Sequence, residues 1–271
     1  MKNSSQLDRL RFLLIASGAA FAFCSGSLLA VERIGQVMDV EEILRNNLSA
    51  VRPESSLGSI ENTEKVLQIS EADYSLVARY RASSDGHMRI DVFSEQIRVY
   101  SEGKDDKGVW EWPGGKDVPE NVYHDGVGAL EHGIEFNLFP LARLADRGHD
   151  VELVGSETIR GKEYFVLKIT LSDGFETFRY VNAKTWLVDL SRDFRAFHPG
   201  VDNTKKNLET RYDKWERADG VVFASRSQNV DLETGVIIAT TLVLDSRYNI
   251  DREELDLSRS FVPDSAPQLS E

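Results

Sequence analysis

Histidines, serines, a cysteine and clustered carboxylates are the side chains from which an active site could be built, and this 271-residue chain carries all of them. The five histidines, His87, His124, His132, His149 and His198, never form the paired helical spacing, with its glutamate, that zinc chemistry uses. A serine nucleophile needs a small-Ser-small elbow after a strand, and neither Gly155-Ser156-Glu157 nor Ser25-Gly26-Ser27 supplies one. The acidic run Glu102-Gly-Lys-Asp-Asp106 lacks the ligand order of a calcium loop and suits a solvated turn. GSETIRG, from Gly155 to Gly161, lacks the Lys-Ser ending of a phosphate loop, so its glycines read as turn residues. The expectation is a protein without catalytic residues, metal or cofactor.

Charge and export signals narrow the class. Forty-five acidic against 32 basic residues give a net charge of -13, which repels nucleic acid at long range. Lys2, Arg9 and Arg11 precede an uncharged run from Phe12 to Val31. That layout predicts a signal peptide over residues 1–30, cut between Ser27 and Ala30; the run also has the length of an uncleaved membrane anchor. Either way the body lies outside the cytoplasm, in the periplasm. Cys24, the only cysteine, lies inside the signal, so the mature chain has no disulfide and no thiolate site.

The elements then follow from periodicity. Asp39 can cap a short helix over 39–51, with Glu41 and Glu42 in its first turn and Val40, Ile43, Leu44 and Leu48 on one face. Sheet is expected from about residue 66, with turns at Asp85-Gly86 and around Gly103 to Gly108. Residues 113–127 read as a loop. Leu130, Ile134, Leu138, Leu141 and Leu144 have helical spacing, interrupted by Pro140. From 151 onward strands alternate with turns at Arg160-Gly161, Asp173-Gly174, Asn182 to Lys184, Asp219-Gly220 and Glu233 to Gly235, with a long loop expected over 194–207 and a disordered tail over 265–271. Phe165, Leu167, Ile169 and Leu171 share one strand face, and equal parity relates Trp186, Val188 and Leu190, and Val236, Ile238, Leu242 and Leu244. One apolar sheet surface, covered by two or three helical segments, is the expected core.

This order of features resembles the LolA/LolB-like superfamily of periplasmic lipoprotein carriers and its outer-membrane lipoprotein-sorting relatives. The resemblance rests on HMRIDV, on GKDDKGVWEWPGG with Trp110, Trp112 and Pro113, on VELVGSETIRGKEYFVLKIT with Gly155, Gly161 and Tyr164, on FRYVNAKTWLVDLSRD, on RYDKWERADGVVFAS and on NIDREELDLSRSFVPD, spanning roughly residues 36–264. It implies an α+β fold: a strongly curved antiparallel sheet forming an incomplete β-barrel, covered by a few short helices that enclose an apolar cavity, in one domain over 31–264. It implies a non-catalytic carrier or chaperone of lipid or lipoprotein acyl chains; the alternative is an envelope sensor that binds lipid and a partner protein. Trp110, Trp112, Leu138, Phe165, Leu167, Ile169, Val188 and Leu190 are the candidate ligand contacts, each of which could equally be core. The carriers latch their lid with an arginine near the end of an early strand, a role the resemblance would give to Arg81.

Overall fold

The computed structural model describes residues 38–52, 60–122, 126–139, 141–198, 202–259 and 266–267. The expected signal peptide or anchor lies outside these residues.

The first described helix, α1 (Val40–Val51), starts where its sequence says it should: Asp39 is extended and its carboxylate accepts from the Glu41 N–H at 3.4 Å. Ile43 anchors it in the core. Six strands follow: β1 (Asn62–Glu71), β2 (Tyr74–Ser83), β3 (Met88–Ser94), β4 (Ile97–Asp105), β5 (Gly108–Pro113) and the short β6 (Glu120–Asn121). The middle of the chain forms α2 (Gly126–Leu138) and two 3-10 turns, Leu141–Arg143 and Ala145–Arg147. The helical run is therefore broken where Pro140 predicted a break, and Pro140 itself lies outside the described residues. Seven further strands follow: β7 (Asp150–Ile159), β8 (Lys162–Thr170), β9 (Glu176–Asn182), β10 (Val188–His198), β11 (Asp202–Ala218), β12 (Val221–Asp231) and β13 (Ile237–Tyr248).

All thirteen form one antiparallel sheet in the order β6-β5-β4-β3-β2-β1-β13-β12-β11-β10-β9-β8-β7. Two meanders run outward from a central seam, where β1 pairs with β13, and end at β6 and β7. Tight hairpins make this possible. Arg160-Gly161 and Asp219-Gly220 both place two consecutive residues at positive φ, the primed-turn geometry whose twist matches that of the flanking strands.

The sheet is open yet strongly curled. Glu71 at the end of β1 and His198 at the end of β10 meet side chain to side chain at 3.2 Å. Their strands lie four places apart, which in a flat sheet would separate them by about 19 Å at roughly 4.8 Å per strand. The inner face is covered by α1, α2 and the 3-10 turns. Its N-terminal half packs Ala78, Tyr80, Ile90 and Val92 against Leu130 and Ile134 of α2. Its C-terminal half packs Phe165, Leu167, Ile169 and Leu171 against Ile43 of α1 and Leu141 and Leu144 of the 3-10 turns.

Four expectations are corrected. Residues 194–207 are not a loop: Phe194 pairs with Asn207 and His198 with Asp202, so two long strands continue there, and their alternating charged residues mark a half-solvated hairpin. Sheet starts at Asn62 rather than near 66. In β13 the inner residues are Ala239, Thr241 and Val243, because Thr241 is in register with Ile69 and with Ser227; Val236 and Leu244 are exposed. The 265–271 tail is not wholly loose, since Ala266 is buried.

Candidate functional site

Between α2 and the central seam lies a cavity of about 310 Å³. Its size falls at the lower end of small-molecule pockets, roughly 300–1,000 Å³. Strands from both meanders reach it: Leu67 from β1, Met88 from β3, Val188 from β10, Phe223 from β12 and Val243 from β13. Helix α2 contributes Leu130, Phe136 and Leu138, and α1 contributes Asn47 and Val51. These side chains give the space a largely hydrocarbon lining.

Polar side chains line it as well: Arg179 of β9, Thr210 and Tyr212 of β11, and Ser227 and Asn229 of β12. Arg179 donates to the Tyr212 hydroxyl at 3.2 Å, and its guanidinium lies 4.1 Å from the Phe136 ring centroid, joining β9 to α2. The Ser191 and Tyr212 hydroxyls are 3.2 Å apart, and Thr210 donates to Asn229 at 3.0 Å.

Helix α2 is tied down by polar contacts as well as packing. His132 meets Asp173 at 2.6 Å and stacks on Phe175, with ring centroids 3.9 Å apart. Glu135 receives Arg147 at 2.5 Å and His149 at 3.1 Å. Burial pushes the Glu135 carboxyl up, but these two partners hold it below the usual glutamate range. Every described histidine is paired with a carboxylate, and among the described residues no group of three or more potential ligands could hold a metal ion.

The candidate contacts divide by location. Leu138 and Val188 line the cavity. Phe165, Leu167 and Ile169 point together to the inner face, toward α1 and the 3-10 turns, beside rather than at the cavity. Leu190 does not share their face. Val188 pairs with Val181 and Leu190 with Tyr180, so Asp189 is an extra residue in the strand. That bulge inverts the parity and sends Leu190 to the outer face with Tyr164, Val166 and Tyr180.

Trp110 and Trp112 also lie on the outer face, opposite α2, because the strand alternation that turns Val109 inward turns them outward. The Trp110 ring sits against Gly103, where a Cβ would come within 2.6 Å of it, and the Arg89 guanidinium is 5.5 Å from the ring centroid. Arg81 points outward too, since Ala78, Tyr80 and Ala82 take the inner positions of β2. It pairs with Asp91 at 2.5 Å, and Asp91 also receives Arg89 at 2.7 Å and Ser101 at 2.6 Å. Its strand parity therefore sets Arg81 on the wrong side of the sheet to latch α2.

Arg179 and Tyr212 escaped sequence reasoning. In FRYVN the structure puts Thr177, Arg179 and Val181 inside and Phe178 and Tyr180 outside. The shared parity of Arg179 with Val181 was the available signal.

No protein-family model and no curated protein matches the sequence. Among solved structures, the chain is similar to a LolA superfamily protein from Nitrosomonas europaea, with 13% identity, a TM-score of 0.51, and coverage of 80% of this chain and 97% of that one. It is also similar to a domain from Vibrio parahaemolyticus named for outer membrane lipoprotein sorting, with 10% identity, a TM-score of 0.53, and coverage of 81% and 96%. At such identities the likeness is one of fold, and the fold is the LolA-like incomplete barrel that the resemblance implied.

Proposed function

We propose, on the premise of a LolA-like fold, that this protein is a non-catalytic periplasmic carrier that shelters an acyl chain of a lipid or lipoprotein beneath α2 and serves outer-membrane lipoprotein sorting. The single observation that carries the reading is the cavity, about 310 Å³, whose hydrocarbon lining is built jointly by the seam strands and α2. Each methylene moved from water to such a wall gains about 0.8 kcal/mol, so a bound chain needs no covalent chemistry to be held. The export-type N-terminal segment and the names of the two similar structures agree with it.

The test is direct. Delipidated protein should bind the neutral probe N-phenyl-1-naphthylamine saturably, and Ser227→Phe, which fills the cavity from an inner position of β12, should weaken that binding by about tenfold or more. Native mass spectrometry of protein purified from its host should show a co-purifying lipid. Absence of both lipid and saturable probe binding would sink the carrier reading, and a protein partner retained only by the lipid-loaded form would turn it into a sensor.

A further inference from the structure

The cavity has a chemical polarity that an acyl-chain shelter alone does not require. Its charged lining consists of Arg52, Lys65 and Arg179, with no carboxylate among the described residues that line it. This is an excess of positive charge inside a chain of net charge -13.

Arg179 is the informative one. It is 5% exposed, yet only one of its nitrogens, Nη1, has a hydrogen-bond acceptor, the Tyr212 hydroxyl; Nε and Nη2 are buried without one among the described residues. Leaving donors of a buried guanidinium unmade costs more than leaving a neutral group so, and native proteins rarely tolerate it without a reason. The countercharge it feels is shared. Asp193, which attracts both arginines, forms its ion pair with Arg195 at 3.3 Å, so one carboxylate faces two guanidiniums. Burial pushes the Asp193 carboxyl up, against the pull of Arg195 and Arg179. A planar guanidinium with two adjacent free donors matches two oxygens of a carboxylate or phosphate.

We infer that the cavity takes a single-chain anionic amphiphile, its chain against Leu67, Met88 and Val243 and its carboxylate or phosphate drawn to the Arg179 guanidinium. The inference rests on the acyl-binding reading and narrows it. The small volume favours one chain over several, and the Phe136 ring stacked on Arg179 places the head-group contact under α2, so that movement of the helix would uncover chain and charge together.

The experiment compares ligands of one chain length that differ only in the head: laurate, lauryl phosphate, lauryl alcohol and lauryltrimethylammonium, each displacing the neutral naphthylamine probe. Laurate and lauryl phosphate should displace it at concentrations about tenfold or more below the alcohol, with the cation weakest. Acetate and inorganic phosphate should not compete, which separates an amphiphile site from a free-anion site. Arg179→Gln should retain alcohol binding and lose the preference for the anionic heads. Equal displacement by laurate and the alcohol in the unmodified protein overturns the inference whether or not the variant folds. Competition by acetate or inorganic phosphate as strong as by laurate overturns it too. Binding of the alcohol as tightly as laurate would leave the carrier reading intact, whereas binding of none of the four removes both.

Discussion

At the scale of single residues, the inner face of the N-terminal meander holds a carboxyl that ordinary glutamate chemistry does not describe. Glu102 is 3% exposed, and the Tyr100 hydroxyl lies 3.2 Å from its carboxyl and 3.1 Å from that of Glu111, with one proton to share between them. Burial pushes the Glu102 carboxyl up to about 8, with Glu111 adding to the rise and the Tyr100 bond opposing it. The folded state therefore holds a proton that the unfolded chain releases near its ordinary value of 4.5. The stabilisation is fully present below that value and is lost as pH rises through about 8. Glu102→Gln should accordingly remove much of the fall in unfolding free energy between about pH 5 and 8, and urea denaturation across that window measures it. A wild-type profile as steep in the variant as in the parent would place the proton elsewhere. Nothing in EGKDD announced this, because the same five residues read equally well as a solvated turn; only burial by the facing layer separates Glu102 from Asp105 and Asp106.

At the scale of elements, α2 is built to be held rather than to hold itself. Gly126, Gly128 and Gly133 lie within its thirteen residues, and each costs about 1 kcal/mol of helix propensity relative to alanine. Its position comes from Leu130, Ile134 and Leu138 and from the His132 and Glu135 contacts. Such a cover can move without the sheet unfolding. Gly133 has room for a methyl group, its nearest neighbour being the flexible Asn137 amide at 3.9 Å. Gly133→Ala should thus raise stability by about 1 kcal/mol and slow release of a bound probe in stopped-flow exchange. Faster or unchanged release would mean that ligand exchange does not require α2 to yield. The apolar spacing that announces α1 and α2 is in the sequence, as is the Asp39 cap. The face chosen by Leu190 is not: one unpaired residue, Asp189, reverses it, and a bulge is set by hydrogen bonding to neighbouring strands rather than by local pattern.

At the scale of the whole molecule, the two meanders bury surfaces on both sides of the sheet, and the chain's C-terminal stretch serves the outer one. Beneath it lie Arg81, Asp91, Arg89 and Trp110, all almost fully buried. Arg89 donates to the Ser258 carbonyl, Arg259 reaches Asp105 at 2.5 Å and Asn121 at 2.8 Å, and Leu255 is buried. Ending the chain after Ile250 should therefore wet the Arg89–Trp110 contact, lower stability by a few kcal/mol and shift tryptophan emission to the red. The shift should be absent in a Trp110→Phe background, and unchanged emission in the shortened chain would show that these residues do not shield the outer face. Alternation and turn residues were enough to determine antiparallel strands and their hairpins, because these depend on spacings of a few residues; the incomplete barrel came from the family resemblance. Which face Trp110 and Arg81 occupy, where the cavity lies and how it is charged were decided only in three dimensions. Those properties arise when β1 pairs with β13 and the sheet curls, bringing β3, β9 and α2 around one space, and no local spacing encodes a meeting of residues so far apart in the chain.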